Sequence, residues 1–459
     1  LHHAGINHIV LGGMGGSSLA PEVITRTDGA ALTVLDSTDP EQVLRALDDR
    51  LATTAVVISS KSGSTVETDS QKRIYEERFR AAGIDPTDRI VIVTDPGSPL
   101  DASAREAGYR VFNADPTVGG RYSALTAFGL VPSGLAGADI SALLDEAEAT
   151  LLDLAIDSPH NPGLVLGAAI AGTRPLRNKL AIVADGTHIL GFGDWAEQLI
   201  AESTGKDGTG ILPVVLGVNA PELQSRPDDL QVVRLVRDWD DTREVVHGEI
   251  EIAGTLGAQI MVWEYATAVA GRLLGINPFD QPDVESAKIA TRALIDNPSE
   301  PAPAALVDGV VELRGTDDVI VGASGLSDAI AALVAAVPAD GYLSIQAYLD
   351  RPGHHELEAL RDLLAARTGR PVTFGWGPRF LHSTGQFHKG GPAVGVFLQL
   401  VAATHPDLPI PGRPFAFGSL IRAQADGDAS VLAAHGRPVL SLALTNVDEG
   451  ISRVLAAPS

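Results

Sequence analysis

Short apolar segments alternate with amphipathic segments from the start of the chain, and this alternation constrains the fold more than any other feature of the sequence. The predicted strands of this first series are residues 8–11, 32–35, 55–59, 90–94 and 110–113. Amphipathic helical patterns lie between them, for instance at 67–82 and 99–107. Strands that alternate with helices at this spacing form a parallel sheet covered on both faces. Ligands of such sheets bind at the carboxyl ends of the strands, where loops and helix N-termini meet.

Two further series of strands and helices follow. A helical stretch at 140–172 leads into the second series, and a segment with three prolines at 297–304 separates it from the third. The predicted strands of the later series are 179–184, 210–215 and 231–235, then 318–321, 341–346, 371–374 and 438–444. We therefore predict an α/β protein with two parallel-sheet sandwich domains, residues 1–137 and 138–298, and a third α/β C-terminal unit, residues 299–459.

Charge and residue usage exclude several classes of function. The 58 acidic and 34 basic residues leave a formal net charge of −24, and no Lys/Arg-rich run is present, so we expect no nucleic-acid partner. No apolar stretch in the sequence is long enough to cross a membrane. Cysteine is absent, which excludes disulfides, thiolate nucleophiles and cysteine-based metal sites and fits a cytoplasmic protein. The spacing of histidines and carboxylates matches no metal motif, so we expect no metal and no cofactor.

The segment between the third predicted strand and its helix is rich in hydroxyl groups. Residues 59–68, Ser-Ser-Lys-Ser-Gly-Ser-Thr-Val-Glu-Thr, hold six hydroxyls, one lysine and one glycine. Hydroxyls donate hydrogen bonds to phosphate oxygens, and the N–H groups at a helix N-terminus attract anions. The residue order differs from the Walker motif, so a nucleoside triphosphate is not the favoured anion. The segment therefore indicates a phosphate site, while a capped loop without a ligand is the alternative.

Two glycine-rich turns follow other predicted strands. Residues 12–18, Gly-Gly-Met-Gly-Gly-Ser-Ser, lack the last glycine of the dinucleotide fingerprint because Ser18 stands there. They indicate an anion-binding turn or simply a tight strand–helix turn. Residues 119–123, Gly-Gly-Arg-Tyr-Ser, place two glycines before Arg121. Such glycines leave a guanidinium open to a small ligand, although a surface arginine after a flexible turn has the same pattern.

Three later segments hold groups suited to acid–base chemistry. Glu202 comes near the end of an amphipathic helix, just before a glycine-rich break where a carboxylate can lean into a cleft as a base. Residues 277–282, Asn-Pro-Phe-Asp-Gln-Pro, form a rigid turn that feeds a helix with Lys288. A loop after residue 380 contains His382 and His388 among three glycines. Taken singly, these segments also fit an exposed helix-terminal glutamate, a simple helix start and hydrogen-bonded loop histidines.

Together, these segments resemble glucose-6-phosphate isomerases, a family that uses the sugar-isomerase (SIS) fold twice. Residues 60–68 are similar to the phosphate loop of the family, and 119–123, continued by Phe-Gly-Leu at 128–130, are similar to a family signature. Residues 198–206 resemble the segment with the catalytic glutamate, and 277–288 resemble the segment with the ring-opening lysine. The resemblance implies two SIS-type domains and an isomerase that interconverts D-glucose 6-phosphate and D-fructose 6-phosphate in glycolysis and gluconeogenesis.

The resemblance also implies roles for individual residues. Glu202 would shuttle a proton between C2 and C1 of the sugar, and Arg121 would stabilise the enediolate. Lys288 and His382 would open the hexose ring, with His388 as the alternative histidine. The implied substrate-binding residues are Ser17, Ser60, Lys61, Ser62, Ser64, Thr65, Gln198, Gln281 and His388. This chemistry needs a carboxylate base, a cation near the developing charge and a ring-opening group, but no cofactor.

Two departures separate the chain from the usual family pattern. The histidine segment lies between the glutamate and lysine segments in the family but follows both here, and the third α/β unit is unlike the usual C-terminal arm. The chain also begins at Leu1, almost directly on a strand. These features resemble the isomerase part of bifunctional transaldolase/glucose-6-phosphate isomerases, so we expect a transaldolase segment to precede this chain in the full-length protein.

The resemblance further predicts a homodimer whose small-molecule partner is a hexose phosphate. Two alternatives to a dedicated glucose-6-phosphate isomerase stay open at this point. One is a non-catalytic regulator that binds phosphosugars on an SIS fold, and the other is an isomerase that also takes mannose 6-phosphate. The regulator would need the hydroxyl-rich turn but not Glu202, Arg121 and Lys288 together.

Overall fold

The computed structural model describes residues 5–238, 246, 248–296, 303–403 and 408–458. The side chains of 284–288 are not part of this description, and most of the proline-rich segment at 297–304 also lies outside it. Three sheets of five, four and six strands lie in the described chain. They fall in order within the three predicted domains, whose boundaries stay a prediction. No helix among the described residues is both long and apolar enough to cross a lipid bilayer.

The first sheet is parallel throughout. Its strands are β1 (His8–Gly13), β2 (Thr33–Leu35), β3 (Thr54–Ser59), β4 (Ile90–Thr94) and β5 (Arg110–Asn113), in the order β2-β1-β3-β4-β5. Its helices are α1 (Leu19–Asp28), α2 (Pro40–Asp48), α3 (Val66–Ala81), α4 (Pro99–Glu106) and α5 (Ala127–Ala136). Because helices cover both faces, β1, β3 and β4 are buried along their whole length and read as continuous apolar runs. All five predicted strands are confirmed to within two residues at either end.

The second sheet is also parallel. Its strands are β6 (Lys179–Ala184), β7 (Leu212–Leu216), β8 (Leu230–Leu235) and β9 (Glu249–Ile252), in the order β7-β6-β8-β9. Its helices are α6 (Ile140–Leu154), α7 (Pro162–Ala171), α8 (Phe192–Thr204), α9 (Pro221–Ser225), α10 (Leu256–Leu274) and α11 (Val284–Asp296). The helical stretch predicted at 140–172 is interrupted, because Asn161 caps a new helix and Pro162 starts it.

The third sheet is mixed. Its strands are β10 (Leu306–Asp308), β11 (Val311–Gly315), β12 (Tyr342–Tyr348), β13 (Val372–Trp376), β14 (Gly395–Ala402) and β15 (Val439–Leu444), in the order β10-β11-β15-β14-β12-β13. The β10–β11 and β11–β15 pairs are antiparallel and the others are parallel. The helices of this unit are α12 (Asp317–Ile320), α13 (Leu326–Ala335), α14 (Ala359–Thr368), α15 (Gly385–Gly390), α16 (Phe417–Ala434) and α17 (Val447–Ala456).

Two sequence predictions for the third unit are wrong. The predicted strand at 318–321 is the short helix α12, because two aspartates in the first turn suit a helix N-terminus. The predicted loop after residue 380 holds the end of a 3₁₀ turn (Arg379–His382) and then α15. Its glycines favour a loop locally, but burial of Phe387 against neighbouring elements overrides that preference.

A cluster of aromatic rings fixes α8 in the second unit. Phe192 and Trp195, both on α8, have ring centroids 5.1 Å apart, and Phe192 meets Trp263 of α10 edge-on at 5.6 Å. All three side chains are buried. Offset and edge-on rings at these distances add to the free energy of burial itself. The amino end of α8 is therefore anchored to a rigid core.

Asp39→Asn is expected to stabilise the fold at neutral pH. Asp39 caps α2 by accepting the backbone N–H groups of Glu41 and Gln42, and burial raises its pKa to about 6. The folded state thus holds the Asp39 proton more tightly than the unfolded chain, so stability is lost as pH rises through about 6. Asparagine caps equally well and never ionises. The unfolding free energy should rise by ~3 kcal/mol at pH 8 and by almost nothing near pH 4.

Urea denaturation of both proteins at the two pH values measures this difference. Asp139→Asn is the matched control, because the exposed Asp139 caps α6 through the same two backbone bonds, to Ser141 and Ala142. A gain for Asp39→Asn of the same size at both pH values would contradict the assignment of the buried charge.

Candidate active site

Glu202 lies in the last turn of α8, at the opposite end of that helix from Phe192 and Trp195. Arg121 Nη1 donates to its Oε1 at 3.1 Å, and Gln198 Nε2 donates to its Oε2 at 3.0 Å. The side chain keeps 13% of its surface exposed. The carboxylate is therefore held from two sides and still open to a ligand.

Arg121 is buried, with 2% of its surface exposed. Each of its five N–H groups has an acceptor. These acceptors are Ser203 Oγ, Glu202 Oε1, Gln281 Oε1 and the carbonyl oxygens of Pro278 and Asp280. A substrate oxygen reaches the guanidinium only by replacing one of them, so in this arrangement Arg121 acts on the site through its charge and through Glu202.

The glycines before Arg121 do not open it to solvent, contrary to the sequence analysis. The close packing of two backbones in this region depends on Gly16, since a Cβ on Gly120 would meet no atom within 4 Å. A Cβ added to Gly16 would lie 2.0 Å from the carbonyl oxygen of Gly120, so the turns at 12–18 and 119–123 touch directly. This contact presses the arginine-bearing turn inward, toward α8.

His382 comes to the same place from the third unit. Its carbonyl oxygen accepts a hydrogen bond from Gln198 Nε2 at 2.8 Å, so one amide nitrogen joins His382 to Glu202. Gly15 has φ +56, and a Cβ there would lie 2.7 Å from the same carbonyl oxygen. Only glycine fits this position. The glycine-rich turn thus seats the histidine segment beside the carboxylate.

The imidazole of His382 is paired with a carboxylate. Its Nε2 lies 2.9 Å from Oε1 of Glu67, which is buried in the first turn of α3. Because an ionised carboxylate only accepts hydrogen bonds, Nε2 carries the proton in this pair. No hydrogen-bond partner of His382 Nδ1 is found among the described residues. A histidine with one nitrogen fixed by a carboxylate and the other free is set up for proton transfer.

A cavity of about 730 Å³ joins the hydroxyl-rich turn to this pair. Ser62, Ser64 and Thr65 line it together with Glu67 and His382. The Ser62 and Ser64 hydroxyls lie 3.0 Å apart, and Thr65 begins α3 without using its side chain as a cap. The lining therefore presents hydroxyls and a helix N-terminus, the donors that a phosphate prefers.

Glu202 and Arg121 are not in the lining of this cavity. Gln198 connects Glu202 to the cavity, because its Nε2 donates hydrogen bonds to both the Glu202 carboxylate and the backbone carbonyl of His382. The hydroxyl-rich turn and the carboxylate are therefore neighbours on either side of the histidine segment. A ligand that uses both must lie across His382.

Comparison with known proteins places the chain in a family. No family model matches it. A probable glucose-6-phosphate isomerase of Haloarcula marismortui is 32% identical over an alignment of 338 residues, and the match covers 62% of this chain and 78% of that one. The chain belongs to the glucose-6-phosphate isomerase family. A glucose-6-phosphate isomerase of Thermosynechococcus vestitus is 31% identical over an alignment of 343 residues, and the match covers 61% of this chain and 64% of that one.

Solved structures agree with the fold of this family member. A hypothetical protein from Thermus thermophilus matches with a TM-score of 0.55 and 26% identity, over 64% of this chain and 84% of that one. A glucose-6-phosphate isomerase from Chlamydia trachomatis matches with a TM-score of 0.54 and 20% identity, over 66% and 72% of the two chains. The second match bears on the fold alone. The predicted parallel-sheet α/β fold of SIS type, with a further unit after it, is confirmed.

The turn that carries Gln281 contacts Arg121 and a residue just after α8 in this family member. Gln281 Oε1 accepts from Arg121 Nη1 at 2.6 Å. Lys206, just after α8, donates to Asp280 Oδ1 and to the Asn277 carbonyl, both at 2.7 Å. Burial lowers the pKa of Lys206 while Asp280 opposes that shift. The backbone of Lys288 lies in α11, but its side chain is outside the described part, so its predicted role stays a prediction.

Lys61 does not face the cavity. Its Nζ pairs with Asp95 at 2.5 Å and donates to the Pro116 carbonyl at 3.2 Å. Ser60 braces the turn from inside, because its hydroxyl donates to Thr65 Oγ1 and accepts from the Gly63 N–H. Ser17 is buried next to Gly13 and is not in the lining of the cavity. The phosphate roles of these three residues stay predictions that the cavity lining does not support.

His388 lies apart from Glu202, inside the third unit. Its Nδ1 lies 2.9 Å from the Tyr342 hydroxyl, and its ring packs against Phe397 with centroids 5.1 Å apart. Burial, followed by the charges of Lys389 and Arg437, holds its pKa well below the usual range of histidine. The structure thus brings His382 rather than His388 to the site. Which of the two opens the ring stays a prediction.

Sequence reasoning missed three residues of the site. Glu67 pairs with His382, Ser203 accepts from Arg121 Nε at 2.7 Å, and Gln424 donates to Glu67 at 2.7 Å. Glu67 lies inside the hydroxyl-rich segment 59–68 and Ser203 inside the segment 198–206. Their place in these polar segments is a sequence signal that could have identified them. Gln424 lies on α16, far along the chain, and no local pattern marks it.

Proposed function

We propose that this family member interconverts D-glucose 6-phosphate and D-fructose 6-phosphate through a cis-enediolate, an isomerisation step of glycolysis and gluconeogenesis. One observation carries the proposal. The Gln198 amide bonds both the Glu202 carboxylate and the backbone of His382, so a base and a histidine stand side by side next to a hydroxyl-rich turn. Aldose–ketose isomerisation uses these three groups in one site.

The phosphate of the sugar fits the hydroxyl-rich end of the cavity. Ser62, Ser64 and Thr65 supply hydroxyl donors, and the N-terminus of α3 supplies backbone N–H groups and a partial positive charge. Arg292 lines the same cavity and adds a positive charge. Local donors can outweigh the repulsion of an acidic protein, because screening limits that repulsion to roughly 8 Å at physiological salt.

We assign ring opening to His382. The free Nδ1 takes the proton of the anomeric hydroxyl, the bond between the anomeric carbon and the ring oxygen breaks, and the proton is returned to that oxygen. The imidazolium that exists between these transfers is stabilised by Glu67, 2.9 Å from Nε2. The products are the open-chain carbonyl sugar and a regenerated neutral histidine.

We assign proton transfer between C2 and C1 of the sugar to Glu202. The carboxylate removes the proton from C2 of open-chain glucose 6-phosphate, the C2–H electrons form the C1–C2 double bond, and the C1 carbonyl oxygen becomes the enediolate oxygen. The charge of Arg121, 3.1 Å from Glu202, favours this anion. A proton then moves from the C2 hydroxyl to the C1 oxygen, Glu202 returns its proton to C1, and the C2 oxygen becomes the ketone of fructose 6-phosphate.

A coupled assay tests the proposed function directly. The protein is mixed with fructose 6-phosphate, and glucose 6-phosphate is detected by its dehydrogenase through NADPH formation. Steady turnover is expected. Calorimetric binding of fructose 6-phosphate without turnover would instead support the phosphosugar-binding regulator and overturn the isomerase. The same assay with mannose 6-phosphate as substrate decides whether a second hexose phosphate is used.

Ser62→Ala is expected to raise KM for fructose 6-phosphate by about 10-fold or more and to change kcat little. The phosphate is bound in the ground state and in the transition state alike, so a lost phosphate contact weakens both equally. Hydrogen bonds to charged groups are strong enough for an effect of this size. Steady-state kinetics measure both constants.

Ser103→Ala is the control for the loss of a serine hydroxyl. Ser103 is exposed on α4 and donates only within its own helix, to the Pro99 and Leu100 carbonyls. It should leave KM and kcat unchanged. A fall in kcat for Ser62→Ala at constant KM would contradict a phosphate-binding role for the turn.

A further inference from the structure

Gln424 joins the histidine–carboxylate pair to the first unit through a chain of hydrogen bonds. Gln424 is 2% exposed and lines the 730 Å³ cavity. Its Nε2 donates to Glu67 Oε1 at 2.7 Å, and its Oε1 accepts from the hydroxyl of Thr38 at 2.6 Å. The chain thus runs from Thr38 through Gln424 and Glu67 to His382.

The orientation of the Gln424 amide follows from its neighbours. Glu67 accepts only, so the NH₂ end of the amide must face it. The carbonyl end then faces Thr38, whose hydroxyl donates to it. Thr38 is completely buried just before α2, so this hydroxyl cannot turn to solvent instead.

Two donors therefore share one oxygen of Glu67. Gln424 Nε2 and His382 Nε2 both reach Oε1, at 2.7 and 2.9 Å. The amide fixes where that oxygen lies, and the oxygen fixes which imidazole nitrogen carries the proton. A buried chain of this kind holds its members in one arrangement when every link is made.

We propose that Gln424, oriented by Thr38, is a positioning residue that sets Glu67 to accept the Nε2 proton of His382 and so keeps Nδ1 free for ring opening. This inference rests on the proposed isomerase function and deepens it. Gln424 does not touch the reacting carbons in this account. Its loss should therefore impair ring opening and spare the proton transfer by Glu202.

Two substrates separate these steps. Fructose 6-phosphate must be opened before it reacts. Its 5-deoxy analogue lacks the hydroxyl that closes the furanose ring, so it is always open and needs only proton transfer. Gln424→Met keeps the length of the side chain and removes its amide. We expect kcat on fructose 6-phosphate to fall about 10-fold or more, while kcat on the 5-deoxy analogue stays within about two-fold.

A pair of changes at Thr38 tests the orientation of the amide. Thr38→Ser keeps the hydroxyl and should behave as the unaltered protein. Thr38→Val keeps the shape and removes the donor. Like Gln424→Met, it should lower the ratio of kcat on fructose 6-phosphate to kcat on the 5-deoxy analogue. Gln399→Met is the control for a lost buried amide, because Gln399 bonds Ala425 and Ser441 instead of Glu67.

The ratio of the two activities is insensitive to partial unfolding, since inactive protein lowers both rates equally. Equal losses on both substrates for Gln424→Met, or a ratio for Thr38→Ser as low as that for Thr38→Val, would overturn the inference while leaving the isomerase intact. An unaltered protein that converts neither substrate would overturn the proposed function, and the inference with it.

Discussion

Glu202→Gln is expected to lower kcat for the conversion of fructose 6-phosphate by about 10²–10⁴-fold, the scale for loss of one general base. Glutamine keeps the size of the side chain and can still accept from Arg121 through its carbonyl oxygen, while its NH₂ group replaces the oxygen that accepts from Gln198. It cannot take a proton from carbon. The coupled assay measures turnover, and calorimetry measures binding of the sugar phosphate.

Binding should persist in this variant, because the proposed phosphate site is the hydroxyl-rich turn, on the other side of His382. Asp207→Asn is the control for the removal of one negative charge close to the site, since Asp207 is exposed just beyond α8. Its turnover should be unchanged. Unimpaired turnover of Glu202→Gln would remove Glu202 from the mechanism, whatever the behaviour of the control.

Arg121→Lys is expected to lower kcat by about 10²–10³-fold, the scale for removal of one preorganised electrostatic contact in an active site. Lysine keeps the charge but not the planar fork of five donors. It cannot serve Glu202, Gln281, Ser203 and two carbonyl groups at once. Glu202 then loses its fixed orientation, and the positive charge is no longer held beside the enediolate.

The same change should also weaken the fold. The carbonyl groups of Pro278 and Asp280 each lose a hydrogen bond from the charged guanidinium, worth about 1.5–3 kcal/mol. Each carbonyl keeps one other donor, the Tyr122 hydroxyl and the Lys206 ammonium respectively. Thermal unfolding measures this loss beside the kinetics. Arg110→Lys, at an exposed position on β5, is the control and should change neither quantity. Full activity in Arg121→Lys would show that the geometry of the guanidinium does not matter.

The parts of the fold that could be predicted from sequence are those in which local pattern and burial agree. β1, β3 and β4 are short apolar runs because both of their faces are covered, and such runs are visible in the sequence. β14 is equally buried but has Gln399 in its middle, which breaks the run. β9 alternates glutamate and isoleucine over only four residues at a sheet edge, too short a pattern to detect.

In the candidate site, too, some residues are marked by local sequence pattern and others are not. Glu202, Arg121 and Gln281 stand in segments of unusual composition, and in the structure Glu202 and Gln281 both accept a hydrogen bond from Arg121. Which histidine joins them could not be predicted, because His382 and His388 share one segment and only packing turns one to Glu67 and the other to Tyr342. Their roles, the homodimer and a preceding transaldolase segment stay predictions.

Hydrogen exchange with solvent tests the central claim most directly. Glucose 6-phosphate is incubated with the protein in D₂O over many turnovers, and the recovered sugars are examined by NMR. Transfer through a carboxylate and an enediolate predicts deuterium at C2 of glucose 6-phosphate and at C1 of fructose 6-phosphate, and none with Glu202→Gln. Rapid interconversion without any deuterium, as in a direct hydride shift, would contradict the account.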